Sequence, residues 1–81
     1  MAGPDTLAEL TRILRDLLDD DGILLSPGTR RPDVPGWDSL AYVNFIVAVE
    51  MRYGIKFRVA DVEAFDTVGE IVAAVDALAR R

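Results

Sequence analysis

The sequence predicts an all-α fold: a small four-helix bundle, three longer helices and a short one, with a long loop between the first and second helices. Three observations carry that expectation. A chain of 81 residues can bury only one small core. Apolar residues recur three and four apart at both ends of the chain, and prolines and glycines crowd the stretch between residues 20 and 37.

The first helix is predicted from Thr6 to Asp19, where Leu7, Leu10, Ile13, Leu14, Leu17 and Leu18 share one face. Thr6 with Glu9 has the spacing of a capping box, and Asp19-Asp20-Asp21-Gly22 supplies the stop. Three aspartates there oppose the helix dipole. They read as a solvated acidic turn, since the alternating ligand spacing of a calcium loop is absent. From Asp20 to Trp37 the residues Gly22, Pro27, Gly28, Pro32, Pro35 and Gly36 break any regular element, and Ile23-Leu24-Leu25 offers the loop an apolar anchor. The basic pairs Arg30-Arg31 and Arg80-Arg81 read as solvated charge.

The segment from Ser39 to Tyr53 is ambiguous, because Val43, Phe45, Ile46, Val47 and Val49 also favour strands. As a helix it carries two apolar stripes. One runs through Tyr42, Phe45, Ile46, Val49 and Tyr53, the other through Leu40, Val43, Val47 and Met51. The second stripe lies either on the surface, as a partner site, or under the long loop through Ile23 and Leu25. Beyond Gly54, Ile55, Phe57 and Val59 alternate with Lys56 and Arg58, so a hairpin turning at Gly54 is the competing fold. It lacks the third strand that so small a hairpin needs. Ala60 to Phe65 is long enough for a short helix, and Val68, Ile71, Val72, Val75, Leu78 and Ala79 define the last, with Thr67 and Glu70 repeating the capping-box spacing. The core expected from this pattern packs Phe45, Val49, Tyr53, Phe57, Phe65, Val68, Ile71 and Val72 against Leu10, Leu14 and Leu17.

Composition narrows the chemistry. The chain has no cysteine and no histidine, which removes disulfides, thiolate nucleophiles, the usual neutral-pH base and the common soft metal ligands. An enzyme that works alone is therefore not expected. The net charge of −5 disfavours nucleic acid and favours partners with basic surfaces. No apolar run, Phe45 to Val49 included, approaches a membrane span, and Met1-Ala2-Gly3-Pro4-Asp5 lacks the features of a signal or transit peptide, so a cytoplasmic protein is expected.

The most informative string is Gly36-Trp37-Asp38-Ser39-Leu40, where the long loop meets the second helix. Asp38 can cap the helix by accepting first-turn N–H groups, leaving the Ser39 hydroxyl at the exposed N-terminal end. A phosphate ester there would feel free amides and the positive end of the dipole. The plain alternative is that Asp38-Ser39 is a helix cap and nothing more.

Asp38-Ser39-Leu40 opening a second helix resembles the acyl carrier proteins, and the likeness runs on through Val43, Ala48-Val49-Glu50, Tyr53, Phe57, Asp61 to Phe65 and Thr67-Val68. The resemblance implies one carrier domain over residues 1–81, monomeric and without catalysis of its own. It implies that a phosphopantetheinyl transferase moves 4′-phosphopantetheine from coenzyme A to Ser39, flanked by Asp38 and Leu40. Acyl groups then ride as thioesters on the terminal thiol, which accounts for the missing cysteine. It further implies docking of acyl-loading and acyl-processing enzymes along the second helix, through Leu40, Val47 and Met51 with Asp38 and Glu50 as charged contacts, and a core that opens modestly to shelter some acyl chains. Ala41, Asn44, Met51 and Arg52 stand where the family typically has acidic residues, so docking should lean on apolar contact more than on charge. The Gly-Trp-Asp-Ser-Leu form resembles free-standing carriers of specialised pathways more than the housekeeping fatty-acid carrier, and the resemblance as a whole implies a fatty-acid, polyketide or related specialised biosynthetic pathway. A peptidyl carrier loading aminoacyl groups and a purely structural helical interaction module are the rival readings. A hydrolase using Ser39 lacks the histidine to activate it. Of the two serines, Ser26 precedes Pro27 in the loop, which leaves Ser39 as the expected attachment point.

Overall fold

The computed structural model describes residues 3–79, so the Arg80-Arg81 pair lies outside it. Four α-helices follow in order: α1 (Gly3–Leu18), α2 (Ser39–Tyr53), α3 (Val59–Ala64) and α4 (Val68–Ala79), with one 3-10 turn at Arg31–Asp33 inside the long loop. The helix α1 packs against both α2 and α4. Its one-sided apolar pattern is what makes this possible, since Leu10 and Leu14 are wholly buried between its two partners.

The start of α1 differs from expectation. The helix begins at Gly3, so Thr6 lies within it and is not its cap. Thr6 is buried, and its hydroxyl donates to Asp76 Oδ1 of α4 at 2.7 Å, a polar tie between the first and last helices. Glu9 likewise serves no capping box. Its carboxylate pairs with Arg12 one turn on and receives Arg52 Nε of α2 at 2.7 Å. At the other end Asp19 turns the chain with a φ of 53°, a conformation that aspartate tolerates better than most residues. Arg15 Nε donates to Ile23 O at 2.7 Å and Gly22 N–H to Asp20 Oδ1 at 2.9 Å, so the acidic turn is organised from within the chain.

The long loop is packed by its own side chains. Ile23, Leu25, Val34 and Trp37 are buried, while Leu24, between two of them, is 79% exposed. Its middle is fastened to α4, whose first-turn amides have no helical partners. Val68 N–H donates to Thr29 O and Gly69 N–H to Pro27 O, both at 2.8 Å. Only glycine fits this seam, because a Cβ on residue 69 would lie 2.9 Å from the Pro27 carbonyl oxygen. The capping box predicted at Thr67 half forms. Thr67 Oγ1 accepts from Glu70 N–H at 3.3 Å, and the Glu70 carboxylate reaches one residue further back, to Asp66 N–H at 2.6 Å.

No strand occurs among the described residues, and the hairpin at Gly54 is replaced by a helix end. Gly54 takes a left-handed conformation with φ 66°, and Ile55 N–H returns to Glu50 O at 3.0 Å. Phe57 N–H then donates to Glu50 Oε2 at 2.9 Å, so the amides a second strand would have used are already bonded to the end of α2.

The core is close to the expected one. Phe45, Val49, Phe57, Val68 and Ile71 are buried with Leu10 and Leu14, and Tyr53, Phe65 and Val72 pack partly buried against them. Leu17 is a correction. It is 37% exposed, on an open surface hollow that it lines with Ile13, Asp16 and Ala48 at the edge of the α1 apolar face. Phe45→Ala should cost about 3–5 kcal/mol in a denaturant titration, and Leu17→Ala about 1 kcal/mol. A second expectation concerns acid. The hydrogen bond from Arg12 holds the Glu9 carboxyl below its ordinary value, partial burial opposes this, and Arg52 adds to the lowering. Ionised Glu9 therefore stabilises the fold above the unfolded-state value, and that contribution is lost as pH falls through the lowered folded value. Wild type should melt higher than Glu9→Gln at neutral pH, with the gap closing below about pH 4.

Candidate functional site

Trp37 places the site. Its indole is buried, only 4% exposed, and meets Phe45 edge-on at 5.2 Å between ring centroids. The chain can resurface only after it, and the next residue caps the helix. Asp38 is the N-cap of α2, extended in backbone, with Oδ1 accepting from Ala41 N–H at 2.9 Å. Ser39 is the first helical residue and exposed, and its hydroxyl has no hydrogen-bond partner among the described residues. The Ser39 and Leu40 amides, too early in the helix for a carbonyl four residues back, remain available beside it. Ser26 offers no comparable setting, since its hydroxyl lies 3.0 Å from Thr29 Oγ1, which also accepts its N–H at 2.9 Å.

Ser39 opens onto a groove of about 530 Å³. Arg30, Arg31 and Pro32 of the loop line it with Tyr42 and Val43 of α2, Val62 and Glu63 of α3, and Phe65 and Asp66 beyond. The Tyr42 hydroxyl donates to Val62 O at 2.7 Å, tying α2 to α3 across the groove. Burial raises the pKa of this phenol and Arg31 nearby lowers it; the net shift is upward, so Tyr42 stays a neutral donor. Arg30 is spent on Asp66 at 3.1 Å.

The two stripes of α2 separate as drawn. Phe45, Ile46 and Val49 are buried, whereas Leu40, Val43, Val47 and Met51 are 71, 53, 46 and 79% exposed, so the long loop does not cover the second stripe. Glu50 departs from its expected setting: it is half-buried and its carboxylate is engaged by Phe57 N–H, which makes it a brace of the α2–α3 connection. The structure thus brings Asp38, Ser39 and Leu40 together at one helix end and lines Val47 and Met51 up behind Leu40. Sequence reasoning overlooked Trp37 as the anchor, although its place directly before Asp38 was the available signal.

A serine hydroxyl free of partners, at the open end of a capped helix beside a groove, leaves room and access for a covalently attached group. The residues suit a phosphate ester, because available amides and a helix N-terminus meet at the hydroxyl. Comparison with known proteins agrees. A family model described as the phosphopantetheine attachment site matches residues 7–75. The acyl carrier protein MbtL of Mycobacterium tuberculosis (strain ATCC 25618 / H37Rv) is 38% identical over 77 residues, covering 94% of this chain and 92% of the relative. MbtL of Mycobacterium sp. (strain MCS) is 39% identical over 70 residues, covering 86% and 79%. Among solved structures, the solution structure of a holo acyl carrier protein from Geobacter metallireducens superposes with a TM-score of 0.87 at 39% identity, covering 94% of this chain and 87% of that one. The chain belongs to the acyl carrier protein family, and its prosthetic group is covalently attached 4′-phosphopantetheine.

Removing the cap should be measurable in the apo-protein. Asp38→Ala is expected to cost about 1 kcal/mol by thermal denaturation, and Asp38→Asn, which keeps an acceptor, only a fraction of that.

Proposed function

We propose that Ser39 is the attachment point and that the chain holds acyl intermediates there for a specialised biosynthetic pathway. The observation that supports this most directly is the exposed, unpartnered hydroxyl of Ser39 at the Asp38-capped start of α2. The prosthetic group supplies a terminal thiol that holds the acyl group as a thioester. The chain's own residues hold and present it. Asp38 orients the first turn, the Ser39 and Leu40 amides face the ester, and the groove walls at Val43, Val62 and Phe65 offer apolar surface to part of the cargo. With neither histidine nor cysteine in the sequence, the chemistry is left to visiting enzymes, and the chain serves as carrier and not as catalyst. Tethering keeps each intermediate at high effective concentration near whichever enzyme is docked.

Docking is assigned to the exposed stripe of α2, Leu40, Val47 and Met51 with Val43 between them. An apolar strip beside the modified serine is the surface a partner would cover. Glu50 is left out of that surface, because its carboxylate is engaged internally. Asp38 before the serine favours acyl over aminoacyl cargo, and the peptidyl-carrier reading is tested by which thioester the chain accepts. No helix among the described residues is long and apolar enough to cross a membrane. A monomer working in the cytoplasm, where coenzyme A and transferase meet it, completes the reading.

Incubation with coenzyme A and a promiscuous transferase should add one phosphopantetheine to the intact mass, and Ser39→Ala should abolish the gain. A Ser39→Ala chain that still gained it would remove the assignment. Val47→Asp should change stability by no more than about 0.5 kcal/mol yet slow acyl transfer by cognate enzymes. If that variant unfolds, the docking assignment loses its central residue.

A further inference from the structure

An anion attached at Ser39 enters acidic surroundings. The chain carries a net charge of −5, Asp38 precedes the serine, and Glu63 lines the groove without an ion pair among the described residues. The groove also holds two cations. Arg30 is committed to Asp66, its Nη2 and Nε each 3.1 Å from Asp66 Oδ1. Arg31 has no carboxylate partner among the described residues, and its guanidinium lies over the Tyr42 ring at 5.2 Å from the centroid. Tyr42 is three residues after Ser39, one helical turn along the same face, and both line the groove with Arg31.

Arg31 is also held in place. It opens the 3-10 turn Arg31–Asp33, in which Asp33 N–H returns to Arg30 O at 2.9 Å, Val34 N–H to Arg31 O at 3.1 Å, and Asp33 Oδ2 accepts from Arg30 N–H at 2.9 Å. Pro32 stiffens the turn at its second position. The ring beneath the guanidinium is fixed in turn by the Tyr42 bond to Val62 O. A planar guanidinium, preorganised on an aromatic face, suits phosphate oxygens better than an ammonium would.

We propose that Arg31 is a positioning residue for the prosthetic group, its guanidinium pairing with the phosphodiester that joins the arm to Ser39. This rests on Ser39 as the attachment point. The pairing offsets the repulsion from Asp38 and Glu63 and draws the base of the arm along the Tyr42 side of the groove, so that the arm leaves the helix in a restricted direction.

The test uses the full chain, converted with coenzyme A and a promiscuous transferase and checked by intact mass. On conversion of the wild type, the Arg31 Nε–H resonance should shift, and the phosphorus resonance of the Arg31→Gln holo-protein should be displaced from that of wild type. Arg31→Lys should fall between them. In 1 M salt, where the Debye length is about 3 Å, the difference between wild type and Arg31→Gln should shrink. Loading at Ser39 with an unmoved Arg31 signal, or coincident phosphorus resonances in wild type and Arg31→Gln, overturns the pairing alone. A mass gain by Ser39→Ala overturns the attachment point and the pairing together. The wild-type Arg31 signal needs no variant, so the test survives an Arg31→Gln chain that fails to fold.

Discussion

The edge-on packing of Trp37 against Phe45 is the contact on which the arrangement of the site depends. It draws the end of a loop with no helix or strand of its own beyond a 3-10 turn into the core, one residue short of the helix cap. Gly36, at φ 86°, lets the chain turn into that position, and Trp37 N–H closes the turn on Val34 O at 3.1 Å. From there little freedom remains. Asp38 must leave the core, its carboxylate finds the first-turn amide of Ala41, and Ser39 follows onto the surface. The serine's exposure is thus a by-product of the tryptophan's burial.

The helix that begins there has two apolar faces and meets opposite demands with them. Phe45, Ile46 and Val49 join the core, where Phe45 and Val49 have no exposed surface at all, so the helix is firmly seated. Leu40, Val43, Val47 and Met51 stay in water at some cost in solubility. A helix held so well from one side can present the other without moving, which is what the docking proposed for this stripe requires. The braces at its ends serve the same purpose: Asp38 at the start, and Glu50 with Gly54 at the finish.

What the sequence disclosed, it disclosed through one-sided patterns. The apolar faces of α1 and α4 had a single reading and folded accordingly, and Asp38-Ser39 was legible because capping depends on neighbouring residues alone. Where the partner is distant, the pattern was silent or misleading. Thr6 has capping chemistry, but whether its hydroxyl meets its own helix or Asp76 depends on how α4 lies across α1. Leu17 belongs to the same periodic stripe as Leu14, yet it lines an open hollow with Ile13, Asp16 and Ala48 and stays partly in water, which depends on how α2 lies beside α1. Glu50 reads as a surface acid until the chain folds back and Phe57 N–H reaches it. The seam between Pro27, Thr29 and α4 is made by backbone groups, which every residue carries and no composition reveals.

That seam has a consequence for the order in which the molecule is made. The loop that ends at the serine is held down by amides of Val68 and Gly69, residues translated long after it. A nascent chain that has emerged only as far as α3 already contains Ser39, yet its loop carbonyls at Pro27 and Thr29 still face water, and Trp37 lacks the Val68 and Ile71 wall of the core. Contacts between segments so distant in sequence close late, after the local helices have formed. Ser39 therefore acquires its finished surroundings only when the last helix arrives, which ties its presentation to completion of the bundle.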